Sequence, residues 1–231
     1  MKTIAIIPAG GAGLRMGTKE PKQFLTLEGR PILHWTLENL IAVSGIDAIC
    51  VVVPASHLEQ TKKELGQAPW KSKIHWIVEG GKERQNSVIR GFRKIPICDM
   101  VLVHDAVRPF VVAKQIRDLL QLATEKGAVI LGLPVKETIK EIRGENEVVR
   151  TVDRNSLWSI QTPQVFRYAV LKEAIDRAEK ESFLGTDEAM LVERIGHPVF
   201  ILEGSPLNIK ITRPDDLILA EGVLHAYRNR L

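Results

Sequence analysis

The stretch TIAIIPAGGAGLRMGTKEPKQF, Thr3 to Phe24, decides the fold. Its first five residues, Thr3–Ile7, are apolar and rich in β-branched side chains, the composition of a buried strand. Pro8, Ala9, Gly10, Gly11 and Gly13 then open a loop of small residues, and Arg15, Lys19 and Lys22 follow as cations. Glycines let a backbone approach an anion closely and offer N–H donors. Arg15 brings a planar fork suited to phosphate oxygens, and Lys22 a mobile point charge. Pro21 stiffens the segment before Lys22. A buried strand that opens into such a loop predicts a ligand of concentrated negative charge.

The spacing excludes the two common phosphate loops. No register gives Gly, four residues and then Gly-Lys-Ser/Thr. Gly11 and Gly13 fit the start of the dinucleotide fingerprint, but Met16 stands at its sixth position and Gly17 comes one residue late.

Working outward, strands are expected at Ala48–Val53, Ile74–Val78, Met100–His104 and Ala128–Leu133. Helices are expected at Ile32–Val43, Ser56–Leu65, Arg84–Arg93 and Ala113–Glu125, with Ser56 as a cap. This alternation predicts an α/β fold, a mainly parallel sheet with helices on both faces. Ligands of such sheets bind outside the carboxyl ends of the strands. Those ends read PAGGAGLR, VVVPASH, VEGGKERQNS, VHDAVRP and LPVKET. Gly80 and Gly81 precede a helix start bearing Arg84 and Ser87, where polar ligand atoms can be held. Asp105 follows the apolar run MVLV; it suits Mg²⁺ or a ribose hydroxyl, or a simple turn cap. Arg108 suits a phosphate. His104, one residue before Asp105, reads better as a structural histidine than as a catalyst.

From Val135 to Asp153 the pattern becomes polar and alternating around Gly-Glu-Asn, an exposed β-hairpin. Its edges need cover, and a second subunit is one way to supply it. Beyond it, Tyr168–Lys180, Asp187–Arg194 and Pro214–Tyr227 read as helices and Val199–Leu202 as a strand. No linker divides the chain, so one domain over residues 1–231 is expected.

The chain has 231 residues, 45% hydrophobic and 26% charged, with a net charge of +4. That is enough for a substantial core and too mild a basicity to argue for nucleic acid by itself. The cations lie at strand ends, not in a run interleaved with aromatics. Cys50 and Cys98 have no zinc spacing and read as reduced thiols in or near the core. No leader and no apolar run of membrane length stands out, so a cytoplasmic protein is expected.

Six blocks then occur in order: PAGGAGLRMGTKEPKQFLTLEGRPIL, GGKERQNSV, VHDAVRPF, TVDRNSLWSIQTPQVF, TDEA and NIKITRPDDL. Over nearly its whole length the sequence resembles the 2-C-methyl-D-erythritol 4-phosphate cytidylyltransferases. The resemblance implies a three-layer, Rossmann-like nucleotidyltransferase fold in one domain, with a projecting arm at about 135–155 that joins a homodimer. It implies CTP and methylerythritol phosphate as substrates, and Mg²⁺. Pro8, Ala9, Gly10, Gly11 and Gly13 would wrap CTP, and Gly81, Arg84 and Ser87 would lie at cytosine. Asp105 and Ala106 would lie by the ribose, the phosphates or the metal. Arg15 and Lys22 would stabilise the transition state, and Arg154 and Lys210, also catalytic, would hold the acceptor phosphate in line. Arg108, Thr162, Thr186 and Lys210 would hold the sugar phosphate, with Thr138 and Arg154 reaching it across the dimer. Lys82 departs from relatives that carry an acid there, which leaves room only for a backbone contact at that position.

The implied chemistry needs no general base. A phosphate monoester has a second pKa of roughly 6 and is already a nucleophile at neutral pH. Positioning and charge neutralisation carry such a transfer, so no catalytic His or Cys and no covalent intermediate is expected. The alternatives are a ribitol-5-phosphate cytidylyltransferase, which shares the loop and the HDAVRP type of block, a non-catalytic nucleotide-binding domain, and a nucleic-acid binder.

Overall fold

A computed structural model describes residues 1–10 and 20–228. The opening strand is β1 (Thr3–Pro8), one residue longer than its apolar run. Two short strands, β2 (Thr26–Leu27) and β3 (Arg30–Pro31), pair antiparallel. Then α1 (Ile32–Ile41), β4 (Ala48–Val53), α2 (Leu58–Gln67), β5 (Ile74–Glu79), α3 (Arg84–Lys94), β6 (Met100–Val103), α4 (Ala113–Lys126) and β7 (Ala128–Pro134) alternate as expected. The predicted hairpin is β8 (Ile139–Arg143) with β9 (Glu147–Val152). It turns through Gly144 and Asn146 at φ of 53° and 67°, a left-handed geometry that glycine and asparagine tolerate best. There follow β10 (Trp158–Arg167), α5 (Tyr168–Lys180), α6 (Glu188–Arg194), β11 (Phe200–Glu203) and α7 (Pro214–Arg228).

Seven strands form the main sheet in the order β11-β7-β10-β6-β1-β4-β5. Every neighbouring pair is parallel except those of β10, which runs antiparallel between β6 and β7. That central strand is absent from the sequence reading. Its run WSIQTPQVFR holds Pro163, a residue that argues against a central strand because it cannot donate to the ladder. The structure accommodates it with a register shift between Gln161 and Gln164, so no ladder N–H is needed there. Ser56 also differs from its reading. It lies in a 3-10 turn, Ala55–His57, and its hydroxyl shares a 2.9 Å hydrogen bond with His57 Nδ1.

Strand alternation sorts the core into two layers. Ala5 and Ile7 of β1 face α1, α2 and α4 through Leu37, Leu65 and Leu119. Ile4 and Ile6 face α3, α5 and α6 through Phe92, Ile175 and Val192. Each of the larger side chains contributes about 1.5–3 kcal/mol by leaving water, so β1, buried on both faces, is fixed in the middle. A third cluster seats Leu224 and Ala220 of α7 against Leu27, Val107 and Phe110. Cys50 is buried and Cys98 half-buried, both as free thiols. Burial pushes the Cys50 thiol up to about 12 and that of Cys98 up to about 11, which keeps both unreactive. Among the described residues no helix is long and apolar enough to cross a membrane.

Candidate active site at the strand ends

Asp105 lies two residues past the end of β6, at the carboxyl edge of the sheet, and is 5% exposed. A carboxylate buried that deeply needs partners. Arg84 Nε donates to Oδ1 at 2.9 Å and Lys210 Nζ lies 2.6 Å from Oδ2. Arg108 Nε stands 3.9 Å from the same Oδ2. Burial alone would raise the Asp105 pKa; the charges of Arg84, Lys210 and Arg108 overcome it and hold the carboxyl well below the usual range.

Arg84 is itself fixed from both ends. It opens α3, whose start is set by a reciprocal pair of bonds between Glu83 and Asn86. Its Nη1 and Nη2 each donate to Glu188 at 2.9 Å, a two-pronged bond to a carboxylate that is 1% exposed. Burial pushes the Glu188 carboxyl up, and Arg84 pulls it back. Asp187, next to it, caps α6 by accepting from the Met190 N–H at 3.0 Å and takes a 2.7 Å bond from Gln164 of β10. Gln85 completes the connection, donating to Phe183 O at 2.9 Å and accepting from the Gly185 N–H at 2.7 Å. The starts of α3 and α6 are thereby tied together beside Asp105.

His104 serves this frame. Its Nε2 bonds the Arg108 carbonyl at 3.0 Å, and a carbonyl accepts, so Nε2 carries the proton. Nδ1 then accepts from the Thr162 hydroxyl at 3.2 Å, and that hydroxyl accepts from the Asp105 N–H at 3.0 Å. Burial holds the ring neutral, its pKa lowered to about 4.

Six residues singled out from the sequence line one cavity of about 200 Å³: Arg84, Asp105, Arg108, Thr162, Thr186 and Lys210. A second group lies at the ends of β1 and β5. The Gly81 N–H donates to Ser87 Oγ at 3.1 Å, and a Cβ on Gly10 would sit 2.7 Å from that oxygen. The Ala9 N–H donates to Val52 O at 2.7 Å, Ala9 O accepts from Gln23 at 2.5 Å, and Ala106 O accepts from Thr36 at 2.8 Å. Pro8 ends β1 opposite Val52, and Lys22 opens the 3-10 turn Lys22–Phe24. Thr138 and Arg154 are elsewhere, lining a hollow of about 460 Å³ at the base of the hairpin with Thr151 and Asp153. Gly11, Gly13, Arg15 and Lys19 lie outside the described residues. Lys82 is exposed.

A family model described as 2-C-methyl-D-erythritol 4-phosphate cytidylyltransferase matches residues 3–226. The chain belongs to that family. Curated relatives of that name agree: one from Bacillus velezensis is 45% identical over 227 residues, covering 98% of this chain and 97% of the relative. One from Dictyoglomus thermophilum is 43% identical over 227 residues, covering 96% of both. Among solved structures, a 4-diphosphocytidyl-2C-methyl-D-erythritol synthase from Anaerococcus prevotii superposes with a TM-score of 0.84 at 30% identity. It covers 97% of this chain and 96% of its own. The 2-C-methyl-D-erythritol 4-phosphate cytidylyltransferase of Thermus thermophilus gives 0.80 at 34% identity, covering 97% of this chain and all of its own.

Several residues that hold this cytidylyltransferase's pocket escaped the sequence reading. Glu188 lies in TDEA, where an acid at a helix start reads as a favourable dipole partner and nothing more. Its contact with Arg84 spans 104 residues of sequence. Gln85, Gln164 and Asn208 carry no charge or spacing that marks them. For a metal, the described residues contain no cluster of three His, Cys, Asp or Glu side chains. Asp105 and Asp187 are the carboxylates that line the cavity. That donor set fits a Mg²⁺ ion, which typically takes one or two carboxylates and completes its shell with substrate phosphates and water.

Proposed function

We propose that the pocket around Asp105 is where the two substrates of this enzyme meet. The cytidylyltransferase moves the cytidylyl group of CTP onto 2-C-methyl-D-erythritol 4-phosphate, releasing pyrophosphate, in the non-mevalonate route to isoprenoid precursors. The observation that carries the site reading is convergence. Arg84, Asp105, Arg108, Thr162, Thr186 and Lys210 come from five separate segments and line one cavity.

In this reading Pro8, Ala9, Gly10, Gly11 and Gly13 receive the nucleotide with main-chain groups, and Gly81, Ser87 and Arg84 border its base. Asp105 and Ala106 take the ribose side, and Asp105 is the residue that would hold a divalent cation. When bound, that cation supplies further neutralisation of phosphate charge. Arg108, Thr162, Thr186 and Lys210 hold the acceptor phosphate. Its dianion attacks the α-phosphorus directly, since its second pKa of about 6 leaves it deprotonated at neutral pH. Arg15 and Lys22 stabilise the charge that builds on the α-phosphate and the leaving pyrophosphate.

Thr138 and Arg154 complete the acceptor site of a second subunit, with the hairpin as the arm of a homodimer. Their separation from the Asp105 cavity and the exposure of Ile142, Val148 and Val149 on the hairpin support this. The small charged substrates suit a cytoplasmic enzyme.

Pyrophosphate release with CTP and Mg²⁺ tests the reading, with methylerythritol 4-phosphate and ribitol 5-phosphate compared as acceptors. Turnover is expected with the first. Turnover only with the second would keep the site and change the acceptor. Lys22→Ala and Arg15→Ala should each lower kcat on the order of 100-fold in folded protein; near-normal kcat in both would refute their roles.

A further inference from the structure

We infer that Asn208 is a positioning residue for the acceptor side of the reaction. It ties the loop that delivers Lys210 to the strand that carries Thr162 and to the guanidinium of Arg108. The inference rests on the reading above, in which those three residues hold the sugar phosphate.

The loop after β11 has a long way to go. β11 is the edge strand of the sheet, and Lys210 must reach Asp105 beyond β6, three places away. The loop crosses by successive bonds to each strand end that it passes. The Gly204 N–H donates to Gly132 O of β7 at 2.8 Å. Gln161 of β10 donates to Ser205 O at 2.9 Å. The Ile211 N–H donates to Val107 O, past β6, at 3.0 Å. Between these last two points lies Asn208, and it is fully buried.

Its partners are the acceptor-side residues themselves. Nδ2 donates to Thr162 O at 2.9 Å and to Gln161 Oε1 at 3.2 Å. Its main-chain carbonyl accepts from Arg108 Nη1 at 2.7 Å. Two residues later Lys210 reaches Asp105. One residue thus spaces the three: its side-chain amide holds the Thr162 strand, its main-chain carbonyl holds Arg108, and the chain two residues on delivers Lys210. The fit is tight on the other side too, since a Cβ on Gly204 would run into Gln161 Oε1.

The amide is held there at some cost in stability. Asn208 Oδ1 is buried with no hydrogen-bond partner among the described residues, and an unpaired buried oxygen is costly. An apolar side chain would avoid that cost; it would also lose both donated bonds. Arg108 Nε is likewise buried without a hydrogen-bond partner among the described residues. The loop therefore holds Arg108 by Nη1, while Nε faces Asp105 Oδ2 at 3.9 Å.

The test is steady-state kinetics of Asn208→Ala and Asn208→Ser, varying each substrate separately, with thermal melts of both proteins. Losing the donated bonds should raise KM for methylerythritol phosphate about tenfold and leave KM for CTP within a factor of about two. Asn208→Ser is smaller and keeps one donor, so it should fall between wild type and Asn208→Ala; it also serves if Asn208→Ala does not fold. A merely structural residue would lower the melting temperature and either move both KM values together or move neither, and either result overturns the inference. Arg108→Ala and Lys210→Ala separate the two levels. If they raise the acceptor KM and the Asn208 variants do not, the positioning role is wrong and the site reading stands. If they too leave it unchanged, the site reading itself fails.

Discussion

The pocket around Asp105 and the hairpin of β8 and β9 both carry opposed charges, and they use them differently. In the pocket, Arg84 bridges two carboxylates whose side chains are 7% and 1% exposed. In the hairpin, Arg150 meets Glu141 at 68% and 48% exposure, and every residue from 140 to 151 is exposed. A solvated pair is weakened by water and contributes little. A buried pair is costly to assemble and more costly to break, so it fixes geometry. The pocket can therefore hold a charge constellation in place before a substrate arrives. The hairpin cannot stabilise itself that way, and a lone two-stranded ribbon is marginal in water. Its order calls for a partner surface, which is what the dimer reading supplies.

Asp105→Asn should give the largest effect. It leaves Arg84, Arg108 and Lys210 around a neutral amide, and pyrophosphate release should fall on the order of 100-fold or more. Activity within a few-fold of wild type would mean that the buried network is scaffolding only.

The pH dependence of stability probes the same region through His104. Its folded pKa is lowered from 6.5 to about 4. The unfolded chain therefore takes up the proton first as pH falls. The contribution is fully present above 6.5 and is lost progressively toward pH 4, by up to about 3 kcal/mol. Denaturant melts at pH 7.5 and 5 should show a smaller drop for His104→Gln than for wild type; equal drops would count against the buried neutral ring.

On the hairpin, Ile142→Asp with Val148→Asp should raise the dimer dissociation constant about tenfold or more. Sedimentation at dilute concentration reads this directly, and association unchanged by the two substitutions, or none in the wild type, would count against the proposed arm. The smallest effect is expected for Arg150→Gln, within about 0.5 kcal/mol in a urea melt. A loss several times larger would show that the pair is covered in the working assembly.

What the sequence by itself determined is local. The period-2 and period-3.6 patterns, the Gly-Glu-Asn turn and the strand-end rule placed eight of the eleven strands among the described residues, including the hairpin pair, and pointed to Asp105, Arg84 and Arg108. These depend on neighbours a few residues apart, so they survive in one dimension. The six ordered blocks likewise identified the family. Tertiary structure alone decided the rest. It put β10 between β6 and β7 despite Pro163, because a register shift removes the need for its missing N–H. It set Glu188 on Arg84 and Asn208 on Thr162, across 104 and 46 residues of chain. No periodicity records such pairings. They exist because a buried polar group must find a partner wherever the fold has placed one.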